Sequence, residues 1–123
     1  MTKKQFSIEF YERENGSVPA EEFLNSLNPK MRAKISGLLG ILQEYGNELR
    51  EPYSKHLDDG IFELRGKVGS DISRVLYFFY FRGKIIITNG FIKKTQKTPS
   101  EEIKKAKAYR KDYIERCGSN EDI

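Results

Sequence analysis

The chain has 123 residues, a formal net charge of +4, 37% hydrophobic and 33% charged residues. That balance fits one globular domain over residues 1–123 and excludes a disordered chain. The longest apolar run, Val75 to Phe81, is too short to cross a bilayer, and the single cysteine, Cys117, excludes an internal disulfide.

One cysteine and one histidine, His56, do not make a thiolate or imidazole metal site, so neither metal nor cofactor is expected. The first residues alternate apolar and polar and do not read as a signal peptide. With the lone cysteine, this points to a reducing compartment, the cytoplasm, and to no membrane association.

In chain order, Gln5 to Tyr11 alternates as a half-buried strand, and Asn15-Gly16 is a turn. Pro19 opens a short helix, Ala20 to Leu27, with Glu21 and Glu22 in its first turn. Asn28-Pro29 then caps an amphipathic helix on which Met31, Ile35, Leu38, Leu42 and Tyr45 recur at three- and four-residue steps, with Gly46 as its stop. Gly37 and Gly40 lower its helix propensity and suggest a close packing contact.

From Ile61 the period becomes two. Ile61–Arg65, Ile72–Phe81 and Lys84–Ile92 read as strands joined by turns at Gly66–Ser70 and Arg82-Gly83. Thr98-Pro99-Ser100-Glu101 is a capping box that opens a last helix through about Arg116, with residues beyond it expected to form a flexible tail. The expected fold class is α+β: a mostly antiparallel four-stranded sheet in the order β-α-α-β-β-β-α, helices on one face and the other face open.

Charge is uneven along the chain. Residues 1–49 hold six Lys/Arg against seven Asp/Glu, residues 50–97 ten against five, and residues 98–123 six of each. Within the middle segment, Arg82, Lys84, Lys93, Lys94 and Lys97 occur with no acid between them. An anionic partner would be drawn there. Strand periodicity puts Glu63 and Arg65 side by side on the open face, with Arg74 in cross-strand reach. Lys93, Lys94 and Lys97 follow the last strand, so these groups could form a cationic bowl at one end of the sheet.

Such a bowl suits RNA cleavage without metal. When a 2′-hydroxyl attacks the adjacent phosphate, negative charge grows on phosphate oxygens, and fixed guanidinium and ammonium groups stabilise it. A base must take the 2′-hydroxyl proton and an acid must protonate the departing 5′-oxygen. A lysine crowded by cations, Glu63 and His56 are rival candidates for the base. Blander roles fit the same residues: a solvated Glu63–Arg65 pair, or lysines that keep an edge soluble.

Three blocks sharpen this reading. Lys55-His56-Leu57-Asp58-Asp59-Gly60-Ile61-Phe62-Glu63-Leu64-Arg65 resembles the K-x-L-x-D-G-L-[YF]-E-L-R pattern of the phage-derived branch of RelE/HigB-like toxins. Arg74-Val75-Leu76-Tyr77-Phe78-Phe79 resembles its R-[VI]-[LF]-Y-F. Gly90-Phe91-Ile92-Lys93-Lys94-Thr95-Gln96-Lys97-Thr98-Pro99 resembles its G-F-x-K-K-[TS]-x-K-[TK]-P. The blocks stand in the expected order and, with their flanking helices, cover most of the chain.

The resemblance implies a RelE/ParE-like fold and the toxin of a type II toxin–antitoxin pair. Such a toxin is a ribosome-dependent endoribonuclease that cuts mRNA in the ribosomal A site and is silenced by a cognate antitoxin, usually a helix-turn-helix DNA-binding protein. It implies catalytic roles for Arg65, Arg74, Lys93 and Lys94 and RNA contacts from Lys97 and Lys55, while Glu63 or His56 would assist on the residue-level reading above. Arg82 and Lys84, at the far end of the last strand, would be peripheral contacts or ordinary turn residues. RelE itself has two lysines where this chain has Ile61 and Glu63. It also has a tyrosine soon after its basic block, where this chain has none before Tyr109, and the HigB type uses histidines where only His56 is offered. A ParE-like gyrase poison and a non-catalytic regulatory module are the alternatives the related fold leaves open.

Overall fold

The computed structural model describes residues 6–92 and 97–121. Its elements are β1 (Ser7–Phe10), α1 (Pro19–Ser26), α2 (Pro29–Tyr45), β2 (Ser54–Asp58), β3 (Ile61–Val68), β4 (Asp71–Tyr80), β5 (Lys84–Ile92) and α3 (Ser100–Glu121). They form a five-stranded sheet in the order β1-β5-β4-β3-β2. β1 runs parallel to β5, and the other neighbours are antiparallel. The fold is α+β as expected, but the sheet is mixed and has one strand more than the pattern indicated.

The additional strand is β2. Its sequence, Ser-Lys-His-Leu-Asp, is polar, and a bulge between His56 and Asp58 breaks its period. It lies at the sheet edge, so its residues need not be apolar. It pairs with β3 through the two-residue turn Asp59-Gly60, where both residues have positive φ. Asp-Gly is the sequence that a tight hairpin with two left-handed positions prefers.

β3 also extends to Val68, past the turn expected at Gly66. Gly66 serves packing there: a Cβ would lie 2.5 Å from Ile35 Cδ1 of α2. The missing side chain lets the helix seat on the strand. Gly37 and Gly40 do the reverse of what was expected, since a Cβ on either would meet nothing within 4 Å. They face outward and mediate no close contact.

Helices cover both faces of the sheet, not one. On the first face α1 and α2 pack Leu24, Met31, Ile35, Leu38 and Leu42 against Leu64, Val75, Tyr77, Ile85 and Ile87. On the second, α3 packs Ala106 and Tyr113 against Ile61, Leu76, Phe78 and Ile86. The unbroken apolar runs of β4 and β5 have this cause, because strands buried on both sides need apolar residues at both parities. The face taken as open is therefore occupied by α3, which continues to Glu121, past the end expected near Arg116.

Local signals set the helix ends. Asn28 caps α2 by accepting the Met31 N–H at 2.8 Å, and Pro19 and Pro29 stand in the first turns of α1 and α2. α3 is tied to the sheet by several polar contacts. Lys107 reaches Asp58 at 2.6 Å, Arg110 reaches Asp59 at 2.9 Å, and Asn89 of β5 donates to Glu102 at 3.0 Å. The first turn of α3 is thus fixed to β5 through Glu102, and its middle to the β2–β3 turn. No helix among the described residues is long and apolar enough to cross a membrane.

Candidate active site

Where α3 begins, the second face of the sheet stops being apolar. Ile61 is followed on the same face of β3 by Glu63 and Arg65, and β4 contributes Arg74 directly opposite Arg65. Glu63 and Arg74 are 1% and 2% exposed. Burial here needs pairing, and it is supplied. Arg74 donates from Nη1 to Glu63 Oε2, Thr98 donates its hydroxyl to Glu63 Oε1 at 2.6 Å, and Arg65 Nε lies 3.8 Å from Glu63 Oε2. The Arg74 Nε–H meets no acceptor among the described residues.

Burial pushes the Arg74 guanidinium below its ordinary value. The Glu63 carboxylate opposes that shift and the Arg65 charge adds to it. Arginine nevertheless stays protonated. Glu63 is not the solvated partner of Arg65 that an exposed strand face would allow. Its carboxylate sits among two guanidinium groups and a hydroxyl. Removing one member of such a buried pair costs about 3–5 kcal/mol, because the other charge is left without compensation.

Above this floor lies a cleft of about 270 Å³, lined among others by Lys55, His56, Glu63, Arg65, Arg74, Lys97 and Thr98. Lys55 reaches it from β2, where it pairs with Glu63. The structure therefore brings together Lys55, His56, Glu63, Arg65, Arg74 and Lys97 from the sequence-derived set. Lys93 and Lys94 lie outside the described residues. Arg82 and Lys84 are elsewhere: Lys84 pairs with Glu9 at 3.8 Å, roughly 23 Å along β5 from Phe91, which faces Arg74. Arg82 occupies the β4–β5 turn with φ +64°.

His56 has a visible structural task. Its Nε2 accepts the Gly60 N–H at 3.1 Å and its ring meets Phe62 edge-on at 5.0 Å, so it braces the β2–β3 turn. Tyr109, the first tyrosine after the basic block, stacks on Tyr11 at 4.7 Å and does not line the cleft. Thr98 was read as a helix cap and missed as a site residue. Its hydroxyl goes to Glu63, while the Pro99 carbonyl accepts from Glu102 and Ile103 as α3 starts. Only its place at the end of the third sequence block marked it.

A floor of paired guanidinium and carboxylate under a cationic rim can hold an anion. Together with the mixed sheet between helices, this defines an α+β domain with a cationic cleft at one end of the sheet. The family described as "Phage derived protein Gp49-like (DUF891)" matches residues 22–111, which include β2 to β5 and every described cleft residue. The chain belongs to that family, a family of RelE/toxin-like proteins. No curated protein matches the chain.

Proposed function

We propose that this chain is the toxin of a type II toxin–antitoxin module and a metal-independent endoribonuclease that cuts mRNA on the ribosome. The observation that carries the reading is the Arg74–Glu63–Arg65 floor under a cationic rim, in a member of a toxin-like family. The 2′-oxygen forms a bond to phosphorus as the bond from phosphorus to the 5′-oxygen breaks, leaving a 2′,3′-cyclic phosphate and a 5′-hydroxyl. Arg65 and Arg74 take the charge that grows on the phosphate oxygens. Glu63 receives the 2′-hydroxyl proton, and a rim lysine returns one to the 5′-oxygen.

Both candidate bases are engaged, His56 Nε2 by Gly60 and the Glu63 carboxylate by Arg74 and Thr98; Glu63 is preferred because it lies between Arg65 and Arg74, which would hold the phosphate. Thr98 is a positioning residue that holds the carboxylate. Lys55 and Lys97, with Lys93 and Lys94, bind the flanking RNA. The whole chain acts as one toxin unit in the cytoplasm, where ribosomes are. Its partner is a cognate antitoxin, a helix-turn-helix DNA-binding protein as in the HigB-like branch.

Primer extension on an mRNA with and without translating ribosomes tests this reading. Breaks confined to translated regions support it. Cleavage of naked RNA removes its ribosome-dependent part. DNA breakage with intact mRNA would favour the gyrase-poison alternative, and no growth arrest on expression would favour a non-catalytic module.

A further inference from the structure

A second cleft, of about 330 Å³, opens beside the first. Its walls include Lys34 and Leu38 of α2, Tyr53 before β2, and Arg65, Lys67 and Ile72 from the β3–β4 hairpin. β2 pairs with β3 only as far as Leu64, so the rest of β3 has no strand on that side. The loop there is held by a backbone bond from Arg65 N–H to the Tyr53 carbonyl at 2.9 Å. That bond fixes Tyr53 at the open edge with 46% of its surface exposed.

We propose that this cleft is a nucleotide subsite of the same RNA path: a base stacks on Tyr53, and the adjoining phosphate is met by Lys34 and Lys67. The proposal rests on the nuclease reading above and adds to it a place for the neighbouring nucleotide. Three observations support RNA as the occupant. Arg65 lines both clefts, so a strand whose phosphate lies on Arg65 continues directly into the second. Three of the lining residues are cations and none is an acid. An aromatic ring beside aliphatic Leu38 and Ile72, with ammonium groups at the margin, matches a base joined to a phosphate.

The subsite would read its base through stacking and edge contacts, while Lys34 and Lys67 act as sequence-independent point charges. The test compares wild type with Tyr53→Ala, Tyr53→Phe and the pair Lys34→Ala/Lys67→Ala. Each full-length protein is checked for an unchanged melting temperature and scored for translation-dependent mRNA cleavage. Tyr53→Ala should raise KM about ten-fold, more than it lowers kcat, and relax the preference at one nucleotide next to the cut. Tyr53→Phe should restore both. The lysine pair should weaken binding of a 2′-O-methyl trinucleotide at every sequence and lower its salt dependence.

If Tyr53→Ala cuts with wild-type KM and preference, the subsite is wrong while the nuclease reading stands. If the variants lose antitoxin binding but cleave as wild type does, the cleft is a protein-docking surface and the subsite is likewise wrong. If wild type cuts no translated mRNA, the nuclease reading falls first and takes the subsite with it.

Discussion

The two faces of this sheet are built from the same strands and serve different ends. Under α1 and α2, alternate strand residues Leu64, Val75, Tyr77, Ile85 and Ile87 pack in one apolar cluster. Under α3, the same strands place Ile61, Leu76, Phe78 and Ile86 at one end and Glu63 with Arg74 at the other. The first face supplies burial, at roughly 25 cal/mol per Å² of apolar surface. The second gives up part of that gain to hold the Glu63 and Arg74 charges in a fixed place.

Substitutions separate the two roles. Glu63→Gln should have the largest effect. It keeps the shape and the Thr98 contact but removes the proposed base and the Arg74 counter-charge. Single-turnover cleavage should fall about 10²–10⁴-fold, and chemical denaturation should show a loss of about 3 kcal/mol. Loss of stability with full activity would show that the carboxylate only holds Arg74. On the other face, Ile35→Ala, at a fully buried position against Gly66, should cost about 2–5 kcal/mol, with cleavage per folded molecule as in wild type. A specific activity that fell with stability would break the separation of the faces.

Two smaller effects sharpen the picture of the α2 side. Burial pushes the Tyr77 phenol up to about 12, although its hydroxyl is paired with Ser54. An unfolded tyrosine ionises near pH 10. The folded state therefore keeps a proton that the unfolded state gives up. This contribution is complete below pH 10 and is lost as pH rises to about 12, at up to about 1.4 kcal/mol per pH unit. Denaturation midpoints measured between pH 9 and 12 should fall less steeply for Tyr77→Phe. Gly37→Ala and Gly40→Ala, with open space around each added methyl, should each raise stability by about 0.5–1 kcal/mol in urea melts.

Much of this arrangement was legible because its causes are local. Asn28-Pro29 announces α2, the period-two residues announce β3, β4 and β5, and the order of three short blocks placed Glu63, Arg65, Arg74 and Lys97 near one another. What was missed depends on neighbours. β2 is an edge strand, so it carries no apolar alternation, and only Asp59-Gly60 signals its hairpin. Gly66 looks like a turn residue until Ile35 is seen above it.

The second covered face was signalled by the continuous apolar run of β4, which a one-sided sheet does not need. His56 drew notice as the only histidine, but its Nε2 braces a turn. Thr98 carried the pattern of a helix cap, and its link to Glu63 spans 35 residues of sequence, beyond the reach of any local pattern.

Arg74→Ala would confound loss of chemistry with loss of the buried pair, so the decisive variant is Arg74→Lys, which keeps the charge beside Glu63 and removes the planar fork. The most direct measurement is primer extension on one mRNA in a reconstituted translation reaction, comparing wild type with folded Arg74→Lys. Wild type should give discrete breaks within the translated frame, and the variant the same breaks about 10²–10³-fold more slowly. Equal cleavage by the folded variant, or no breaks from wild type, would contradict the proposed mechanism.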